Sequence, residues 1–180
     1  MDLITLSDAK IFLAIADSNT DHDALLKLLI GQYSAVIQGY CRRIFIEDSY
    51  EETYDGNGKQ ILLLNNYPIK SVESLTIDDI SYDSDDYLIY ADEGYIKLID
   101  EVFTKDDQNV EIEYTAGYFD VPEGIKFSCV EMVAAKFKEI DSNRIGVSSQ
   151  TFGDQTTTFR ELEFTDKIKE ILNRYRKPIV

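Results

Sequence analysis

Apolar residues recur at helical spacing through residues 1–46, switch to strand-like alternation, and return to helical spacing after residue 121. Ser7 reads as a helix N-cap, and Asp8 to Ala16 follows with Ile11, Phe12 and Ile15 on one face. Ser18-Asn19-Thr20-Asp21 is turn chemistry that caps a second helix from His22 to Ile44. There Leu26, Leu29, Tyr33, Ile37, Tyr40 and Ile44 recur at spacings of three and four, and Leu25, Ile30, Val36 and Cys41 widen the stripe. Gly31 and Gly39 either admit a close-packed helix or lie on an exposed face, and the spacing leaves both readings open.

From Phe45 the period becomes two. Glu51 to Tyr54 and Gln60 to Leu64 flank Asp55-Gly56-Asn57-Gly58, which predicts a β-hairpin. Ile61 to Leu64 is a continuous apolar run, as in a strand covered on both faces. Pro68 fixes its own φ and holds Tyr67 extended, so the chain turns a corner there. Val72, Leu75 and Ile77 alternate imperfectly with polar residues beyond it, as in a strand with one wet face. Tyr87 to Tyr90 and Tyr95 to Ile99 predict a second hairpin around Ala91-Asp92-Glu93-Gly94. Val110, Ile112 and Tyr114 mark a last strand against Glu111 and Glu113.

Pro122 opens a third helix, with Glu123 in its first turn and Ile125, Cys129, Met132, Val133, Phe137 and Ile140 on its buried face. That helix stops near Asn143-Arg144-Ile145-Gly146. Val147 to Phe159 is rich in Ser, Thr, Gln and Gly and reads as an arm or linker. Thr165 to Tyr175 predicts a short helix ended by Pro178. The fold class is therefore α+β. Three main helices, in residues 1–46 and 122–145, form a core; residues 47–121 insert a small antiparallel sheet or barrel; residues 146–180 form a C-terminal arm with a short basic helix.

Composition adds three constraints. At 180 residues and 44% hydrophobic, the chain can bury a sizeable core and is not globally disordered. Cys41 and Cys129 lie far apart in helical segments, which favours buried thiols over a disulfide framework. No apolar run approaches the length of a membrane span, and MDLITLSDAK lacks the basic and apolar regions of a signal peptide, so neither membrane insertion nor export by that route is expected.

Charge is more informative. The net charge is −16, and 8 basic and 25 acidic residues precede Pro122, a balance of −17. Such a body repels DNA and anionic membrane, although any single acid is most simply a solubilising one. The C-terminal segment is the opposite, with Lys167, Lys169, Arg174, Arg176 and Lys177 against Glu170.

Reactive constellations are missing from the pattern. The lone His22 has no second ligand at metal spacing and reads as an exposed residue of a capping region. Asp83, Asp85 and Asp86 lack the glycine and glutamate that a calcium loop requires, and read as a solvated loop. No phosphate-binding glycine loop or nucleophile elbow occurs. The expectation is no enzyme, no cofactor and no metal. The twelve tyrosines, many in the β region, lean towards an interface role over ordinary strand preference.

The ordered set Leu6-Ser7-Asp8-Ala9-Lys10, Asp21 to Leu26, Tyr40-Cys41-Arg42-Arg43, Tyr67-Pro68-Ile69 and Tyr114-Thr115-Ala116-Gly117-Tyr118 with Val121-Pro122 resembles the phage head–tail connector (adaptor) family. The large β insertion is similar to that of the longer members, the shorter ones being mainly helical.

That resemblance implies a structural virion protein that docks on the portal protein as a homo-oligomeric ring, twelvefold in the family, after DNA packaging. The ring extends the DNA channel, which genomic DNA crosses without specific binding, and offers a platform for a stopper or other neck or tail protein. It implies assembly in the host bacterial cytoplasm and residence in the virion neck. On this reading Lys167, Lys169, Arg174, Tyr175, Arg176 and Lys177 grip the portal or a neighbouring subunit at the end of a flexible arm. Tyr67, Pro68, Gly117 and Pro122 are the structural corner. Rival readings are a stopper or tail-terminator, or an acidic DNA mimic that inhibits a nuclease or repressor; the basic tail is awkward for the mimic.

Overall fold

The computed structural model describes residues 2–142, 149–152, 155–158 and 164–177. They fall into two compact units, Met1–Arg42 with Val121–Val180, and Arg43–Asp120.

The first unit is helical. Helix α1 (Leu6–Leu13) starts earlier than expected, because Thr5 and not Ser7 is its N-cap. The Asp8 N–H donates to Thr5 Oγ1 at 3.1 Å, and the Thr5 N–H donates to Asp8 Oδ2 at 2.8 Å. This reciprocal capping box selects Thr5, since three residues beyond Ser7 lies Lys10, which has no acceptor to return. The helix ends at Ala14 in the left-handed region (φ 56°), so Ile15 falls outside it. Its inner face also differs from expectation. Ala9 and Lys10 are buried, while Ile11 (72%) and Phe12 (44%) are exposed. Lys10 Nζ is held 2.6 Å from Asp23 Oδ1 and donates to the Asp17 carbonyl, which compensates the burial of its charge.

Helix α2 (Asp23–Cys41) buries Leu26, Leu29, Ile30, Tyr33, Ile37 and Cys41. It closes at Arg42 (φ 57°), three residues or so before the apolar pattern ends, and Ile44 is exposed. Among the described residues a Cβ on Gly39 would meet nothing within 4 Å, and one on Gly31 would meet only Asp2 Oδ1 at 3.7 Å, so neither glycine makes room for another described helix. Helix α3 (Glu123–Asp141) follows Pro122 as expected and buries Ile125, Cys129, Met132, Val133 and Phe137. His22 is not exposed. It is half-buried, edge-on to Phe137 with ring centroids 5.1 Å apart. Both thiols are buried; Cys129 lies 3.8 Å from Ser34 Oγ, and burial pushes its pKa up to about 12.

Part of the segment read as a linker is a ladder. Strands β8 (Ser149–Phe152) and β9 (Gln155–Thr158) pair antiparallel, in keeping with their threonines. Helix α4 (Asp166–Asn173) is capped by Thr165, whose side chain accepts from the Ile168 N–H. The stop expected at Pro178, the break at 143–146 and the arm residues 146–148 lie outside the described residues.

The second unit holds two small antiparallel sheets around one core. Strands β1 (Asp48–Tyr54), β7 (Val110–Ala116), β3 (Ile69–Ile77) and β4 (Ile80–Ser81) form the first sheet in that order. Strands β2 (Ile61–Leu63), β6 (Tyr95–Leu98) and β5 (Tyr87–Tyr90) form the second. The hairpin expected between residues 51 and 64 does not exist, because β1 pairs with β7 and β2 pairs with β6. Gly56 serves close backbone approach, and Gly58 a positive φ of 70°, in a connection that is not a hairpin turn. The Gly56 N–H donates to the Asp106 carbonyl at 2.9 Å, and a Cβ there would fall 1.6 Å from the Thr104 carbonyl oxygen.

Nor is β2 covered on both faces: Leu62 and Leu64 point into the core, while Ile61 and Leu63 are exposed. The β5–β6 hairpin forms over the expected residues, with Gly94 at φ 73°. The imperfect alternation of β3 has a physical cause. Its register against β7 shifts between Ile69 and Ser71 and again between Val72 and Ser74, so bulges return Leu75 and Ile77 to the core face.

Candidate functional site

The corner is built around an arginine. The Tyr67–Pro68 peptide is cis, and the Gly117 N–H donates to the Pro68 carbonyl at 2.9 Å. Gly117 (φ 113°) packs so closely that a Cβ would lie 2.6 Å from the Ile46 carbonyl oxygen. Arg43 is buried here, its guanidinium carbon 3.5 Å from the Tyr67 ring centroid and 5.1 and 5.6 Å from those of Phe45 and Tyr118. Its Nη2 donates to the Tyr67 carbonyl. Phe45 and Tyr118 stack on each other at 6.5 Å. A delocalised, weakly hydrated cation beside aromatic rings gains cation–π attraction in place of part of its lost hydration. Tyr67, Pro68 and Gly117 thus meet in one structure, whereas Pro122 belongs to the helical unit as the N-cap of α3. In the sequence, the signal for Arg43 is a cation followed directly by Ile44-Phe45-Ile46.

Beside the corner, a carboxylate holds two strands and the following loop together. Glu52 on β1 accepts from the Tyr114 hydroxyl at 2.7 Å and from the Tyr54 hydroxyl. Those hydroxyls in turn accept from the Asn66 N–H at 3.2 Å and the Asn65 N–H at 2.9 Å. Burial, then the bond to Glu52, raises both phenols well above the usual tyrosine range. These tyrosines are therefore structural. Others are presented outward, and Tyr90 and Tyr95 stack on the open face of the second sheet with centroids 4.3 Å apart.

The acid is segregated into this unit. Residues 43–120 contain 5 basic and 20 acidic residues, a balance of −15; the remaining residues contain 13 and 14, a balance of −1. On the wet face of the first sheet, Glu51 and Glu113 sit directly opposite each other and Glu111 lies two residues along. Like charges in that relation destabilise a ladder by roughly 0.2–1 kcal/mol, so folding alone does not favour the pair. At one end, Asp78, Asp79, Asp107 and Glu111 line a shallow cleft of about 200 Å³. Among the described residues no three potential ligands converge as a metal site would require.

The basic C-terminal residues are not carried on a free arm. Ile168 and Leu172 of α4 are buried against the helical unit. Tyr40 donates to Asn173 at 2.9 Å, the Cys41 thiol to the Leu172 carbonyl at 3.7 Å, and the Lys177 N–H to the Cys41 carbonyl at 3.0 Å. Lys167 Nζ lies 5.0 Å from the Phe127 ring centroid, and the Arg176 guanidinium carbon 5.0 Å from that of Tyr40. Arg174 pairs with Glu170 at 2.9 Å. Tyr175 approaches Gly124 on α3, and Lys169 is half-buried. Lys167, Arg174 and Arg176 remain exposed on this docked segment.

Residues 2–178 match the family model described as "HCP: Head completion protein". The chain belongs to the head completion protein family. No curated protein sequence matches it. Among solved structures it is similar to a chain in the neck of an empty gene transfer agent (GTA) particle computed with C6 symmetry, at 14% identity and TM-score 0.64, covering 99% of this chain and 91% of that one. It is similar to a chain in the virion of a native gene transfer agent particle, at 15% identity and TM-score 0.65 with the same coverage. A third, in the neck of a native GTA particle computed with C12 symmetry, has 15% identity and TM-score 0.60 over 100% of this chain and 96% of that one. At these identities the likeness establishes a shared α+β fold.

Proposed function

We propose, from membership of this family, that the chain is a structural protein of the particle neck. It acts as a head–tail adaptor that docks as a ring on the portal after packaging, continues the DNA channel and seats the next neck protein. The observation that carries this reading is the family match across residues 2–178, reinforced by similarity to chains of GTA necks.

Charge segregation supports the adaptor form. A unit with a balance of −15 can border a channel without offering phosphates any attractive contact, so DNA slides past and does not stick. The nearly neutral helical unit, with Lys167, Arg174 and Arg176 exposed, is the part suited to gripping the portal or a neighbouring copy. Because α4 is already folded against α2 and α3, docking through its residues does not carry the entropic cost of ordering that helix.

The test is direct. Purified protein is added to DNA-filled heads that carry portal but lack this protein, and bound copies are counted and imaged. A ring on the portal vertex supports the adaptor role. Binding only to heads that already hold another neck protein points instead to a stopper. Charge reversal at Lys167, Arg174 and Arg176 together is expected to lower occupancy while leaving the fold intact.

A further inference from the structure

We propose that the open face of the second sheet is the surface by which one copy meets the helical unit of the next copy in the ring. This rests on the ring reading above. The register sets Ile61, Lys97 and Leu88 in one row across β2, β6 and β5, and Leu63, Tyr95 and Tyr90 in the next. All six side chains share the face opposite the core residues Leu62 and Ile96. Five of the six are apolar or aromatic, and Ile61, Leu63 and Leu88 are each at least 40% exposed. A contiguous apolar face on an otherwise strongly acidic unit is out of keeping with a purely solvated role.

The surroundings define the occupant's chemistry. Asp85 and Asp86 precede β5, Asp92 and Glu93 form the β5–β6 turn, and Asp100 and Glu101 follow β6; all six are exposed. Lys97 is the one basic side chain on the face. The complementary surface must therefore be apolar with a basic margin. This chain carries an apolar patch of that kind with an exposed lysine at its rim. On the helical unit Phe12 of α1 meets Phe127 of α3 edge to face at 6.2 Å, both partly exposed, with Ile11 exposed beside them. Lys167 of α4 covers the rim of that patch, over the Phe127 ring. A closed ring requires two different, mutually complementary faces on each subunit; these two match in apolar character, and Lys167 is placed to meet the acidic border of the sheet face.

The experiment uses full-length protein on portal-bearing, DNA-filled heads that lack it. A variant with Ile11→Cys and Leu88→Cys is bound to heads and treated with a short bis-maleimide; the native Cys41 and Cys129 are buried and do not compete. The expected result is a ladder of covalent multimers, absent from either single-cysteine variant. In parallel, Leu63→Glu with Leu88→Glu is expected to keep the wild-type melting temperature and to cut bound copies per head at least tenfold.

Full occupancy by the two-cysteine variant without a ladder would overturn the inference while leaving the ring intact. So would full occupancy by the Leu63→Glu, Leu88→Glu variant with loss of tail attachment, which would assign this face to the next neck protein. If wild-type protein does not bind the heads, the ring reading falls, and this inference with it.

Discussion

The guanidinium carbon of Arg43 lies over the Tyr67 ring, 3.5 Å from its centroid, and the same side chain donates to the Tyr67 carbonyl. One buried cation thus fixes both ends of the corner residue. A lysine cannot reproduce this, because its ammonium has neither the planar stacking surface nor the fork of donors. Arg43→Lys is expected to destabilise by about 1–2 kcal/mol, and Arg43→Ala by about 2–4 kcal/mol, from lost cation–π and charge-assisted hydrogen bonding. Urea denaturation of the full chain checks both. Equal, negligible effects would mean the cluster contributes nothing to stability.

The Glu52 network makes stability fall in alkali. Tyr54 and Tyr114 have folded-state pKa values raised above the ordinary value of 10.0, burial first and Glu52 next. The native state therefore holds protons that the unfolded chain releases once pH passes about 10. Their contribution is complete below that pH and declines above it, by about 1.4 kcal/mol per pH unit for Tyr114 until its own pKa is reached. Denaturation midpoints measured from pH 8 to 11.5 should be flat and then fall. Tyr114→Phe should lower stability at pH 8 and flatten the alkaline decline.

Two glycines give opposite outcomes. Gly117 sits at φ 113° against the Ile46 carbonyl, so Gly117→Ala combines strain with a clash and is expected to cost at least about 2–3 kcal/mol. Gly39 lies within α2 with open space around it, and Gly39→Ala should stabilise by about 0.5–1 kcal/mol. Thermal melts of both variants read the contrast.

Leu172 tests the docked state of α4. It is fully buried, so Leu172→Ala should lower stability by about 2–4 kcal/mol, as a core truncation does. A change below about 0.5 kcal/mol would be the signature of a helix on the surface, not one in a core.

Glu113 tests whether the acidic face is maintained against the interest of folding. Glu113→Lys replaces a like-charge pair with an opposite one across from Glu51 and should stabilise by about 0.2–1 kcal/mol at low salt. On the adaptor reading it should also slow DNA release from the particle.

Local signals in the chain were readable where the physics is local. The apolar spacing of α2 and α3, the Pro122 start, the β5–β6 hairpin and the alternation of Val110, Ile112 and Tyr114 are each set by neighbours a few residues away. Pairing partners are not local. The Asp55 to Gly58 stretch has hairpin composition, yet β1 finds β7 some sixty residues on, because its Tyr50, Glu52 and Tyr54 face the core beside Tyr114, Ile112 and Val110. The bulges of β3 were written in the spacing from Val72 to Leu75, which is three where an unbroken strand requires two or four. Docking of α4 was also legible, in Ile168, Ile171 and Leu172 at helical spacing, but the surrounding lysines and arginines gave it the look of a solvated tail. Thr5 was distinguishable from Ser7 as the cap by the acid three residues on.

A neck adaptor is a protein without which packaged heads do not receive tails. Particles produced with its gene deleted, imaged by electron microscopy, should consist of DNA-packaged heads and free tails, and adding purified protein should restore whole particles. Whole, tailed particles formed in its absence would contradict the account.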